Sequence, residues 1–233
     1  MTGLDRALGR LVEIVPHLRG STVADGDGWT SGRTFLGHDP TDPLDVLLAD
    51  DRTGRFAVDR PAYASAFYEG YAIRLLGTAL GVWLLGEDLP DPSPEHTSFR
   101  VAVDLPSEIA FTGATGYALH EFVDVVLADH LDLLAERITD RVPIGRTLLF
   151  SNIASAVSTS GLAVVRAAGS GGLPDPGRTV EAFRAALPEH IASLGHWVPG
   201  PNWMRGACCL WFREDPSGAM CTLCPITERT DPA

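Results

Sequence analysis

Apolar residues recur at helical spacing through most of the chain, and the pattern is broken by one short β-rich stretch and one glycine-proline segment. Leu4, Leu8, Leu11, Val12 and Val15 predict a first helix ending near Pro16. Asp59 ahead of Pro61 reads as a cap with an early-turn proline, and Leu75, Leu76, Ala79, Leu80, Trp83 and Leu84 then hold one helical face. From Tyr117, the spacing of Leu119, Phe122, Val123, Val126, Leu127, Leu131 and Leu134 predicts a long helix ending before Pro143. Val142 to Ala168 supplies another, and Thr179 to Leu187, with Val180, Phe183, Ala186 and Leu187 inward, a shorter one, followed by a brief helix over Pro188 to Leu194.

Between these helices the pattern changes. Gly20 to Asp42 is rich in glycine and aspartate and reads as irregular, with a short capped helix expected at Pro43. Ser98 to Asp104 and Glu108 to Phe111 are β-rich and are expected to pair as a hairpin turning at Pro106. The expected fold class is α+β, a predominantly helical body with a small β-hairpin or sheet and a short C-terminal module. Gly169 to Gly177, GSGGLPDPG, reads as a linker whose glycines bend freely and whose prolines bar helix continuation. The expected organisation is a body over 1–168, the linker over 169–177, and helices plus a metal-binding module over 178–233 that begins near Gly195.

Composition narrows the function classes. With 45% hydrophobic and 21% charged residues over 233 positions, the chain can bury a sizeable core. Its net charge is −12 and every basic residue is arginine, which disfavours nucleic acid as a partner. An acidic field attracts cationic ligands and equally serves solubility. The most apolar segment, Ala62 to Gly86, is interrupted by Glu69 and Arg74, and its longest uncharged run, Leu75 to Gly86, is too short to cross a bilayer, so no transmembrane segment is expected. MTGLDRALGRL lacks the basic-then-apolar run of a secretory signal, so a reducing, cytoplasmic setting is expected. Gly70, Gly77 and Gly81 read as close-packing positions, since no strand-turn context makes them a nucleotide fingerprint. With no GxGxxG or Walker lysine, flavin or nicotinamide binding within the chain is not expected.

Candidate chemistry concentrates at the C-terminus. All four cysteines, Cys208, Cys209, Cys221 and Cys224, are set as CC-x11-CxxC within ACCLWFREDPSGAMCTLCPI. Thiolates are soft donors, and four of them without histidine select zinc or an iron–sulfur cluster over calcium, magnesium or manganese. Three readings compete: disulfides or inert thiols, a structural zinc site of four cysteines, and a [2Fe-2S] cluster. A reducing compartment and a chain of this length argue against disulfides. Zinc ribbons usually present two CxxC knuckles, whereas adjacent side chains in extended backbone point to opposite faces, so a vicinal pair chelates one small ion only with local distortion. A two-iron core relaxes that demand.

Elsewhere the signals favour plain structure. His120, Glu121, Asp124, His130 and His190 lack zincin spacing and read as solvated helix faces. Ser151, Asn152, Ser155, Ser158, Thr159 and Ser160 form a hydroxyl-rich flank without a GxSxG elbow. Trp197, Trp203, Met204, Leu210, Trp211 and Phe212 surround the cysteines, either as ordinary packing or as a water-excluding shell in which an exposed Trp203 stacks on a ligand or redox partner.

The C-terminal motif resembles that of the FhuF-like ferric-siderophore reductases, whose hallmark is a CC pair, about ten residues and then CxxC. GRTLLFSNIASAV, from Gly145 to Val157, also looks like a segment of such proteins that precedes their last large helix. The resemblance implies that Cys208, Cys209, Cys221 and Cys224 ligate a [2Fe-2S] cluster, which passes one electron to a ferric siderophore and releases ferrous iron. With no flavin or nicotinamide site expected in the chain, electrons for such a cluster are expected from a separate donor, a ferredoxin or a flavoprotein reductase. Asn152 and Arg146, placed by the family-like segment, are expected either to hydrogen-bond the cluster region and line a siderophore pocket, or simply to cap and pack a helix. The alternative function is a non-enzymatic small-molecule or protein-binding protein whose four cysteines hold structural zinc.

Overall fold

Thr2 and Asp5 form a reciprocal cap, the threonine hydroxyl accepting from the Asp5 amide and the Asp5 carboxylate from the Thr2 amide. They start α1 (Gly3–Ile14), which buries Leu4, Ala7, Leu8 and Leu11 as its spacing predicts. The computed structural model describes residues 2–37, 44, 47–48, 59–102, 105–168, 176–198, 202–213 and 224–225. Of the helix expected at Pro43 only Leu44, Leu47 and Leu48 are described, Leu44 and Leu47 being helical and the Leu48 amide donating to the Leu44 carbonyl at 2.9 Å; nearly all of the expected linker lies outside the described residues.

Gly20 to Asp42 is more ordered than its composition suggests. It holds parts of two three-residue strands, β1 (Arg19–Ser21) and β2 (Trp29–Ser31), then α2 (Gly32–Leu36) capped by Ser31. Strands that short carry no readable alternation. Asp59 caps α3 (Arg60–Ala72) by accepting from the Ala62 amide at 2.9 Å. This helix continues through a π turn, Ile73–Gly77, into α4 (Thr78–Leu84).

The short β3 (Leu89–Pro90) precedes the central hairpin of β4 (Thr97–Ala102) and β5 (Leu105–Phe111), and β6 (Thr115–Tyr117) returns to pair with β3. The main sheet has the order β1-β5-β4-β2, with β1 parallel to β5 and the other pairs antiparallel. The hairpin reverses between Ala102 and Leu105, which face each other, and not at Pro106. Pro106 sits inside β5, opposite Val101, beside a register shift that accommodates its missing amide.

Tyr117 belongs to β6, so the next helix begins two residues later as α5 (Leu119–Val126), passes a π turn at Leu127–Leu131 and ends as α6 (Asp132–Thr139). After Pro143 comes α7 (Arg146–Ala168), whose buried face is built of small residues such as Ser151, Ala154, Ser155, Ala156, Ser158 and Gly161. This is what lets neighbours approach: a Cβ on Gly77 would lie 2.3 Å from the Ser160 hydroxyl, so the π turn docks on α7 only because residue 77 has no side chain. By length and composition α7 could cross a bilayer, but 67% of its apolar window is buried inside the protein, as in a core helix.

The result is an α+β fold, mainly helical with small sheets. One cluster of apolar side chains spans it. Tyr71 stacks on Phe99 at 4.1 Å between ring centres, and Phe35 meets both edge-on. Helix α8 (Pro176–Ala185) starts within the expected linker, and α9 (Glu189–Ala192) follows. Their residues Val180, Phe183, Leu187 and Ile191 belong to the same core, with Phe183 edge-on to Phe122. Burying a side chain of that size stabilises by about 1.5–3 kcal/mol, so the segment after residue 175 is anchored to the body.

His130 departs from its expected solvated place. It is fully buried, with Nδ1 against the Tyr71 hydroxyl at 2.7 Å and Nε2 against the Pro92 carbonyl at 2.6 Å. Burial pushes its pKa down to about 4, only partly offset by that carbonyl. His120, Glu121, Asp124 and His190 are exposed, as expected.

Candidate metal centre

The cysteine loop hangs from a two-stranded hairpin, β7 (Gly195–Val198) and β8 (Asn202–Arg205), in which Trp197 faces Trp203 and Gly195 faces Arg205. Trp203 is fully buried, edge-on to Trp197 at 5.2 Å, with the Arg184 guanidinium 5.5 Å above its ring. It is therefore a packing anchor of the hairpin and has no exposed face for a ligand or redox partner, contrary to the exposed role its sequence position suggested. Gly195 makes room for it, since a Cβ there would sit 2.3 Å from the indole.

Past β8 the chain is pinned residue by residue. The Arg205 guanidinium donates to Asn152 Oδ1 at 2.9 Å and pairs with the Glu69 carboxylate, and Asn152 Nδ2 in turn donates to the carbonyl and hydroxyl of Ser65. The Gly206 amide donates to the Leu194 carbonyl at 2.8 Å, and the Ala207 amide to the Ser151 hydroxyl at 3.2 Å. Leu210 then adopts φ 64°, and its amide donates to the Cys208 sulfur at 3.4 Å. A short 3-10 turn, Trp211–Arg213, follows, and Arg213 Nε lies 2.9 Å from Asp59, the cap of α3.

This path brings Cys224, from the CxxC half of the motif, to Cys208, whose chain neighbour is Cys209. Cys209 and Cys224 are buried at 7% and 3% exposure, Cys208 is half-buried, and the Cys224 sulfur neighbours the Cys208 thiol. Burial pushes the Cys208 thiol up, the Leu210 amide pulls it back, and the neighbouring Cys224 and Cys209 sulfurs raise it further. Crowded sulfurs that resist ionising one another are eased by a shared cation, whose binding releases their protons. Cys221 lies outside the described residues. Among the described residues no group of three cysteine, histidine or carboxylate side chains is placed to hold a metal ion.

The donors that are present fit a thiophilic group. Among the described residues they are sulfurs, next to an amide that donates to sulfur. Cys208, Cys209 and Cys224, with Cys221 from the same CxxC, would hold it. No family model matches the chain, and no curated protein matches it.

Asn152 reaches the cysteine loop through Arg205, while Arg146 does not: it pairs with Asp132 at 3.5 Å and lies over Phe150. Glu69, Ser65 and Arg205 are the residues that sequence reading did not connect to the site. A signal existed, because Glu69 interrupts an otherwise apolar segment and a carboxylate placed there needs a partner. A cavity of about 310 Å³ between α1 and β6, lined in part by Thr22, Glu87 and Asp88, and an open one of about 450 Å³ beside Arg33, Glu95 and Asp129 both lie among body residues, with no cysteine among the described residues of their walls.

Proposed function

We propose that the chain is a ferric-siderophore reductase, an oxidoreductase of the cytoplasm whose C-terminal cysteines hold a [2Fe-2S] cluster. The observation that carries this reading is the approach of Cys224, from one half of the CC-x11-CxxC motif, to Cys208 in the other. The resemblance of that motif to the FhuF-like reductases supports it. When bound, the cluster would supply one electron to ferric iron.

The chemistry follows from ligand hardness. Siderophore oxygens are hard donors and hold ferric iron far more tightly than ferrous iron, so one electron loosens the cargo. The siderophore keeps its own bonds and iron leaves as Fe(II). The electron comes from an external ferredoxin or flavoprotein reductase. Within the chain, the Leu210 amide and the buried walls around Cys209 and Cys224 set the polarity felt by the sulfurs.

Anaerobic reconstitution with iron and sulfide tests the cofactor, and the expected product is red-brown with equal iron and sulfide content. Uptake of zinc alone would replace the reading with a structural site in a binding protein. Dithionite-reduced protein mixed with ferric hydroxamate or catecholate complexes should reoxidise while a chelator captures Fe(II). No reoxidation by any of these complexes sinks the reductase reading.

A further inference from the structure

We propose that Arg205 is the positioning residue of the cysteine loop, and that Glu69 balances its charge. This rests on the reading of the sulfurs as cluster ligands. Arg205 is the last residue of β8 and precedes Cys208 by three positions. Its side chain is 6% exposed, and that of Glu69 16%, so the pair is largely shielded from water.

Two core helices grip this one guanidinium. Glu69 comes from α3, and Asn152 from α7 offers its Oδ1 at 2.9 Å. The orientation of the Asn152 amide is set from behind, because Nδ2 donates to the Ser65 carbonyl at 3.1 Å and to the Ser65 hydroxyl at 3.0 Å. The adjacent residue, Ser151, catches the Ala207 amide. One turn of α7 thereby fixes residues 205 and 207, and the next residue is Cys208. The fork of an arginine suits this double grip, and a lysine would reach only one partner at a time.

The charge arrangement has a readable consequence. Four thiolates around iron form an anionic centre, and a nearby cation stabilises the reduced, more negative state. Glu69 offsets Arg205 in the native protein. Glu69→Gln keeps an oxygen for the guanidinium but removes the offset, so the reduced state gains stability.

Two measurements on the full-length chain test this. In metal-free, reduced protein, the alkylation rates of Cys208 and Cys209, resolved by peptide mass spectrometry, should rise severalfold in Arg205→Leu and less in Arg205→Lys, with the far-UV spectrum retained. In iron-loaded protein, Glu69→Gln should shift the midpoint potential to more positive values, while the neutral change Ser65→Ala should leave it in place. Equal alkylation of wild type and both Arg205 variants overturns the positioning role. An unchanged or more negative potential in Glu69→Gln overturns the charge balance. The alkylation arm needs no cluster, so it judges Arg205 even where reconstitution yields a zinc protein and the reductase reading fails.

Discussion

The amide of Leu210 lies 3.4 Å from the sulfur of Cys208 and donates to it, and Leu210 makes that contact from left-handed backbone at φ 64°. A non-glycine residue held there costs about 1–2 kcal/mol, since its Cβ crowds the following carbonyl. Such strain persists where the surroundings enforce it, and functional loops are a frequent setting. Leu210→Gly should relieve it, preserving the amide and the metal content while raising the thermal midpoint of the metal-free protein. Leu210→Pro removes the donor and forces φ negative, and should lower metal content sharply. Metal analysis and melting curves of both variants check the pair.

Ligand substitution separates the site from the fold. Cys209 and Cys224 are buried in the loop but stand outside the apolar core that unites the helices. Cys208→Ser and Cys221→Ser should therefore abolish stable cluster assembly and leave the far-UV spectrum of the helical body intact. Loss of helical signal in either variant would contradict the division between ligands and core.

Much of the helical framework was legible because helices of two or more turns carry their periodicity in the chain. Leu4, Leu8 and Leu11 and the Leu119–Leu134 series face inward as spaced. Short strands were not legible: Arg19–Ser21 finds its partner only by parallel pairing with Glu108–Ala110, nearly ninety residues away. His130 illustrates a second limit. Its neighbours on the helix, Ala128 and Asp129, are exposed, so local pattern suggested solvent, whereas a π turn rotates the ring toward Tyr71 and Pro92. The cysteine motif was plain in the sequence, but the Arg205 anchor was not, because its partners come from helices far upstream.

The hairpin that carries the loop depends on Trp203. Its ring is fully buried among Gly195, Trp197 and Arg184. Trp203→Ala should destabilise the protein by about 3–5 kcal/mol, the range for emptying an aromatic site in a packed core. Trp203→Phe should recover most of that. Urea titrations followed by circular dichroism measure both, and a loss below about 1 kcal/mol for the alanine variant would place the hairpin outside the cooperative core.

Buried His130 gives the fold a pH dependence whose sign follows from its depressed pKa. In the unfolded chain the imidazole takes up a proton as pH falls below about 6.5, whereas in the folded protein it stays neutral until about 4. Between those values the unfolded state binds more protons, so stability falls as pH drops from 6.5 toward 4, by on the order of 3 kcal/mol over the full window. Asp91 also holds a lowered pKa, through hydrogen bonds from Ser93 and His96 that outweigh its burial, and contributes its own loss at lower pH. Comparison with His130→Gln isolates the histidine. The variant should be less stable than wild type at pH 7, where the Tyr71 and Pro92 contacts are disturbed, yet lose less on going to pH 5. Parallel slopes for the two proteins between pH 7 and 5 would show that the buried ring takes up its proton as readily folded as unfolded.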